Sequence, residues 1–215
     1  MIRDYIDIAK VYKLPTTNVV EIGSRDGHHA AQLAKALKVK SSQVYIFEPN
    51  PFQYLKIIKA YPKYEPKTYN YAIWNVVGAK EFHQVNPSKG NVGTSSLKDK
   101  VRESYAKIAD LISVNCIRMD NFINDSSIKR IDICKVDVEG CTYEILDSFG
   151  DRLKNIVSLH IECEHLVIWK DQYLYEHVCD VLRRNDFVQV YFRLINGSQS
   201  DSIWIQSKYL PYTIN

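Results

Sequence analysis

The sequence predicts an α/β fold: a mostly parallel central sheet with helices on both faces and an antiparallel closing strand. Three observations predict it. Short β-branched runs alternate with stretches of helical periodicity along the chain. The last two strand-like runs follow one another directly, as a closing pair. The composition is that of an ordinary globular protein, with 46% hydrophobic and 25% charged residues over 215 positions and only 8 Gly and 7 Pro. A disordered or fibrous chain is thereby excluded. The length suits a single domain spanning residues 1–215, whether whole or cut from a longer chain.

The elements run in order. Residues 18–23 (NVVEIG) form a buried strand ending in Gly, and 28–39 carry Ala30, Leu33, Ala34 and Leu37 at helical spacing. Residues 43–48 (QVYIFE) are a second strand, and Pro51 opens a helix to Tyr61. Residues 68–73 read as a third strand and 79–85 as strand-like. A Gly/Ser loop covers 90–96, a polar helical stretch 98–110, and a further strand 113–118. Residues 131–138 (IDICKVDV) are a strong strand leading to a helix over 142–149. Residues 156–163 (IVSLHIEC) are another, leading to a helix over 172–184. Strands over 188–194 and 202–206 close the sheet. Asn196-Gly197 between them is a turn signal, although a seven-residue gap exceeds a two-residue hairpin.

Charge and cysteine usage narrow the function. A balance of 28 basic against 25 acidic residues is too mild to indicate nucleic acid. No run of 18 apolar residues offers a membrane span, and the first residues lack an apolar signal core. The five cysteines are odd in number and form no CxxC pair, which suits buried thiols in a reducing, cytoplasmic setting.

In such sheets a ligand sits beyond the carboxyl ends of the strands. The first strand ends in Glu21-Ile22-Gly23-Ser24-Arg25-Asp26-Gly27. A dinucleotide fingerprint would need Gly at 25 and 28, which hold Arg25 and His28, and Gly-Lys-Ser/Thr of a P-loop is absent. Glu48, at the end of the second strand, can accept bonds from both hydroxyls of a ribose. Together these suit a nucleoside without a pyrophosphate. S-adenosylmethionine is such a ligand, and its positive charges favour the acidic turn that Glu21 and Asp26 supply. Ala72, Ile73 and Trp74 at the third strand's end offer small and flat surfaces for an adenine.

Alternation places Lys135, Asp137 and Glu139 on one side of a central strand. Three ionisable groups there are costly unless paired or functional. That puts Asp137 near the reacting centre, with Lys135 holding its charge. His160, Glu162 and Glu164 share a parity on the next strand, beside His165, and supply further bases. Their spacing matches no tight metal motif, so no metal is expected.

These residues resemble the FkbM family of S-adenosylmethionine-dependent methyltransferases, of the Rossmann-like class I methyltransferase fold. The resemblance runs from about Asn18 to Phe192. Its acid-hydrophobe-Gly-Ala-Asn-x-Gly is similar to Glu21–Gly27, with Arg25 in place of Asn and Asp26 in place of a hydrophobe. Its Phe-Glu-Pro-x-Pro matches Phe47-Glu48-Pro49-Asn50-Pro51, and Asn-x-Ala matches Asn70-Tyr71-Ala72. Ser-Ser-Leu matches Ser95-Ser96-Leu97, and Leu-Asp-Asp-Phe resembles Met119-Asp120-Asn121-Phe122. Leu-Lys-Ile-Asp-Val-Glu-Gly matches Cys134–Gly140.

The resemblance implies methyl transfer to a hydroxyl of a small-molecule or glycan acceptor. It implies cofactor contacts at Gly23, Ser24, Gly27, Glu48, Pro49 and Ala72, to which position adds Glu21, Arg25, Asp26, Asn50, Ile73 and Asp137. An alcohol needs a base, and Asp137 is first choice ahead of Glu162 and His165. Ser95, Ser96, Glu139, Trp74 and Trp169 are candidates for substrate or loop positioning, and Tyr71, His83 and Tyr173 add to a surface suited to a sugar. Competing readings are a ribose 2′-O RNA methyltransferase, a metal-assisted enzyme, and a non-catalytic cofactor-binding scaffold. Oligomeric state is not legible.

Overall fold

The computed structural model describes residues 2–61, 65–101, 107–126 and 128–211. A seven-stranded sheet of order β3-β2-β1-β7-β8-β10-β9 forms its centre. The strands are β1 (Val19–Ile22), β2 (Val44–Phe47), β3 (Lys67–Tyr69), β7 (Ile131–Val136), β8 (Ile156–Glu164), β9 (Phe187–Asn196) and β10 (Gln199–Gln206). Pairings from β3 through β8 are parallel, and β10 is antiparallel to both its neighbours. The expected α/β architecture with an antiparallel close is the fold observed.

Helices cover both faces. The helices α1 (Ile2–Val11), α2 (His28–Leu37) and α3 (Pro51–Ala60) pack on one face, through Tyr5, Leu33 and Ile57 against Val19, Ile46 and Ile133. The helices α4 (Met119–Asp125), α5 (Thr142–Ser148) and α6 (Tyr175–Arg184) pack on the other, through Met119, Ile145 and Leu182 against Phe47, Val136 and Leu159. All five cysteines are free and buried, as small apolar residues are.

Four differences from the sequence-based expectations have local causes. The run 68–73 is two strands, because the Asn70 amide donates to the Glu48 and Pro49 carbonyls at 2.9 and 3.0 Å and breaks the extended course. Beyond the break, β4 (Ala72–Ile73) joins a separate three-stranded sheet with β6 (Ala109–Ile117) and β5 (Gly78–Val85). The expected helix over 98–110 is not one where it is described. Residues 97–98 form a bend, Lys100 bridges Trp169, and Ala109 already belongs to β6, while 102–106 lie outside the described residues. The closing strands are longer than expected, which leaves Gly197 and Ser198 as a two-residue hairpin turn. Finally, α1 and α4 form helices that the periodicity above does not assign.

The first helix is pinned by a polar contact as well as by packing. The fully buried Tyr5 hydroxyl sits 2.9 Å from Ser158 Oγ and accepts the Cys134 N–H at 3.2 Å. Tyr5→Phe strands that N–H, so we expect a loss of about 1–3 kcal/mol, measured by urea denaturation. An unchanged midpoint would mean that packing alone holds α1.

Candidate active site

Register brings the strand exits together. Ile22 pairs with Phe47 on one side and Val136 on the other, and Val136 pairs with Ile161. The next residues, Glu48, Gly23 and Asp137, therefore leave three adjacent strands side by side, level with Glu162 inside β8. A cleft of about 630 Å³, counting its open mouth, lies at this edge. Gly23, Glu48 and Asp137 line it, with Pro49, Asn50 and Gln53 on one flank. The small sheet forms the outer wall through Ala72, Ile73 and Phe82, and the loop 92–97 lies beside it.

Gly23 is required by this geometry. Its φ is +78°, and a Cβ there would stand 2.2 Å from the Asp137 carbonyl oxygen. Gly27, also left-handed at +75°, has a different role from the one expected. A Cβ would meet Tyr61 at 2.9 Å and Ile57 at 3.2 Å, so this glycine lets α2 approach α3 and does not line the cleft.

The acidic turn is mostly self-satisfied. Glu21 is fully buried, and its Oε2 accepts Ser24 Oγ at 2.8 Å and the Ala30 N–H at 3.0 Å. Ser24 Oγ in turn accepts the Gly27 N–H at 3.0 Å. The half-exposed Asp26 accepts the His28 N–H at 3.0 Å. Glu21, Ser24 and Asp26 thus build the turn beneath and beside the cleft and do not line it. Arg25 does line it, at a strained φ of +58°. Its N–H donates to Glu48 Oε2 at 2.7 Å.

Glu48 is held on both oxygens, since Oε1 accepts the Asn50 N–H at 2.8 Å. Burial pushes its carboxyl up to about 7, against the pull of those two donors. Asn50 caps α3 through Phe52 and Gln53 and also accepts from the Gln84 amide at 2.9 Å. Gln84, on β5, carries no sequence signal of this role because its strand belongs to the second sheet.

The β7 exit carries the charge. Lys135 is buried, with Nζ 2.5 Å from Asp137 Oδ2 and 3.9 Å from Glu21 Oε1. Burial raises the Asp137 carboxyl, but the Lys135 charge and hydrogen bond outweigh it, and the group sits below the usual carboxylate range. Its side chain is 34% exposed, toward the cleft that it lines. Glu139 lines the same cleft. Burial, followed by repulsion from Glu164, pushes its carboxyl up to about 8.

Of the other sequence candidates, Glu162, His165, Trp169 and Trp74 fall outside the cleft. Glu162 stands next to Asp137 in register but accepts from the Gln199 amide at 3.1 Å, and burial with the charges of Asp137 and Glu139 raises it to about 9. His165 lies 2.8 Å from Ser200 Oγ and packs on Tyr175, away from the cleft. Trp169 is fully buried, and a Cβ on Gly140 would fall 2.3 Å from it, so it is a core residue and not an acceptor surface. Trp74 lines a neighbouring cavity. Ser95 and Ser96 line the cleft, but their hydroxyls tie the loop. Ser95 Oγ donates to the Val92 carbonyl at 2.8 Å, and Ser96 Oγ to the Glu139 carbonyl at 2.6 Å. Among the described residues, no group of three or more His, Cys, Asp or Glu is placed to hold a metal ion. No helix among them is long and apolar enough to cross a membrane.

The model of the methyltransferase FkbM domain matches residues 21–188. The chain belongs to the FkbM methyltransferase family. Relatives of this FkbM domain include the 2-O-methyltransferase NoeI of Sinorhizobium fredii, 21% identical over 88% of this chain and 81% of that one. Among solved structures it is similar to an FkbM methyltransferase of Methylobacillus flagellatus, with a TM-score of 0.52 and 12% identity, over 88% of this chain but 43% of that one. The magnesium protoporphyrin IX methyltransferase of Synechocystis, solved with S-adenosylmethionine bound, gives a TM-score of 0.53 at 11% identity, over 96% and 78% of the two chains.

The FkbM chain is therefore a methyltransferase of class I fold with S-adenosylmethionine as cofactor. The cleft's donor set suits that cofactor. A buried carboxylate at the β2 exit fits a ribose diol, the Gly23 turn admits close approach to backbone, and Ala72 with Ile73 offers an apolar slot.

Proposed function

We propose that the protein is an O-methyltransferase acting on a sugar hydroxyl, with Glu139 as proton acceptor and Asp137 as the carboxylate that orients the hydroxyl. The observation that carries it is the pair of unlike carboxyls in one cleft. Asp137 is held ionised by Lys135, while Glu139 is raised to about 8. S-adenosylmethionine, when bound, supplies an electrophilic methyl group on a sulfonium. The protein must hold the acceptor oxygen in line with that methyl, exclude water and receive the hydroxyl proton. A low-pKa carboxylate is a good hydrogen-bond acceptor but a weak base, and a base with a pKa near the working pH is stronger. This assigns Asp137 to orientation and Glu139 to proton transfer.

In this reading Gly23, Arg25, Glu48, Pro49, Asn50, Ala72 and Ile73 hold the cofactor, with Glu48 on the ribose. Glu21 and Lys135 set the charge and position of Asp137 from beneath. The 2-O-methyltransferase relative supports oxygen as the acceptor atom. Exposed Tyr71 on the cleft supports a sugar. The test is methyl transfer from radiolabelled S-adenosylmethionine to a defined glycan panel, with and without EDTA. Transfer confined to non-sugar acceptors would sink the sugar assignment, and transfer abolished by EDTA would sink the metal-free base.

Glu48 gives a pH prediction. With its pKa raised to about 7, the carboxylate exists above that value and is lost as pH falls below it. Affinity for S-adenosylhomocysteine, read by titration calorimetry, should fall by up to about tenfold per pH unit below 7. In Glu48→Gln it should be about 10–100-fold weaker and flat with pH. Equal slopes in the two proteins would remove Glu48 from the ribose.

A further inference from the structure

A second cavity adjoins the cleft, of about 1050 Å³ counting its wide mouth. Its walls are Trp74, Tyr143 and Tyr173 together with Glu144, Asp147 and Asp171. The two cavities share α5 as a partition. Cys141 and Ile145 face the cleft, whereas Tyr143, Glu144 and Asp147 line the second space. The chain repeats the division at β4, where Ile73 lines the first cavity and Trp74 the second.

We propose that this second cavity is a saccharide subsite, which takes a neutral sugar unit of the acceptor remote from the methylated hydroxyl. The proposal rests on the sugar-acceptor reading above. Three features select the ligand class. First, the aromatic walls are rigid and accessible. Tyr143 and Tyr173 stack with centroids 3.8 Å apart, and Tyr173 is 43% exposed, so ring surface faces the opening.

Second, the charges around the cavity are of both signs, so the wall as a whole matches neither a cation nor an anion. Lys80 Nζ stands 4.8 Å from the Trp74 ring centre and Lys98 Nζ 6.0 Å, and Lys98 is also 5.7 Å from Tyr173. These ammonium groups lie near one part of the Trp74 and Tyr173 rings, so an organic cation placed there meets like charge. An anion meets Glu144, Asp147 and Asp171. A neutral ring with an apolar face and hydroxyl donors meets neither penalty.

Third, the wall carries an unsatisfied acceptor. The Glu144 side chain is 7% exposed. One oxygen holds Lys98 Nζ at 2.6 Å, and the other, Oε2, has no hydrogen-bond partner among the described residues. A buried carboxylate oxygen without a donor is costly, and a turn of the Glu144 side chain toward the cavity would let a sugar hydroxyl donate to it. Lys98, whose Nζ also donates to the Asp171 carbonyl at 2.7 Å, holds the carboxylate in place against the aromatic wall. Asp147 is braced from the other side by the Asn75 amide at 3.2 Å.

The experiment titrates the full chain, saturated with S-adenosylhomocysteine, with glucose, cellobiose, cellopentaose, maltopentaose and chitopentaose, and with choline and glucuronate as charged controls. Binding is read by calorimetry. The same neutral saccharides are then offered as methyl acceptors with S-adenosylmethionine. We expect at least one neutral pentasaccharide to bind more tightly than glucose. Trp74→Ala and Tyr173→Ala should each weaken that binding about tenfold or more, without moving S-adenosylhomocysteine affinity. Because Trp74 also packs beside buried Phe82 and Val114, the more exposed Tyr173 keeps the test independent of folding. Absence of saccharide binding, preference for choline or glucuronate, or binding indifferent to both substitutions overturns the subsite. Saccharide binding that depends on Trp74 and Tyr173 but is followed by no methylation upholds the subsite and overturns the sugar-acceptor reading. Methylated saccharides with KM unaffected by either substitution do the reverse.

Discussion

Glu139→Gln is expected to lower the turnover number by about 10²–10⁴-fold, the range that one positioned base contributes. S-adenosylhomocysteine affinity should be unchanged, because Glu139 acts on the acceptor proton. The pH profile carries the stronger test. A base must be deprotonated to work, so the wild-type rate should rise with pH and level off above about 8, where the Glu139 carboxyl has lost its proton. In the Gln variant that rise should vanish. A variant that keeps the rise would move the base elsewhere, with Asp137 next in line. Asp137→Asn separates the two. It removes the partner that lies 2.5 Å from the Lys135 ammonium, so it should weaken acceptor positioning while keeping the Glu139 inflection, moved down because the Asp137 charge is one of the causes that raise it.

Gly23→Ala is expected to cost about 2–5 kcal/mol, from left-handed backbone and overpacking together. Its Cβ would lie 2.2 Å from a backbone oxygen and 2.7 Å from Val138 Cγ1, and a backbone atom between two central strands has little room to yield. The melting temperature should fall by on the order of 10 °C. Cofactor-product binding should be lost, because the two strand exits can no longer lie side by side. Gly197→Ala is the control. Nothing lies within 4 Å of its added Cβ, so stability and binding should both hold. An unaffected Gly23→Ala protein would mean that the β1 and β7 exits are not as tightly apposed as the register implies.

Much of this site is legible in the sequence because it depends on strand ends. A glycine after Ile22, an acid after Phe47 and an acid after Val136 are visible there, and parallel register then aligns them. Periodicity does not reach side-chain competition with the backbone. Asn70 interrupts what reads as one strand, and the interruption sends Ala72 and Ile73 into a second sheet that walls the cleft. The same blindness affects charge. Glu21 and Asp26 read as an acidic pocket, yet their oxygens accept N–H groups and a hydroxyl of their own turn. Trp169 reads as an acceptor surface because burial cannot be told from one sequence, and the glycine it packs on lies 29 positions earlier. The first helix did leave a signal. Ile2, Tyr5, Ile6 and Ala9 stand at helical spacing and are the buried face of α1.

The position of β10 inside the sheet, between β8 and β9, has a consequence during synthesis. Tyr5 and its partner Ser158 are 153 positions apart, so α1 waits roughly 8–30 s on the ribosome for its docking surface at about 5–20 residues per second. The edge of β8 then stays open for a shorter interval, until residues 199–206 emerge 35–47 positions later and slot in. A nascent chain of this topology therefore presents an apolar helix face while 153 further residues are made, and an unpaired strand edge while a further 35–47 are made. Both are surfaces that chaperones engage and that aggregation exploits.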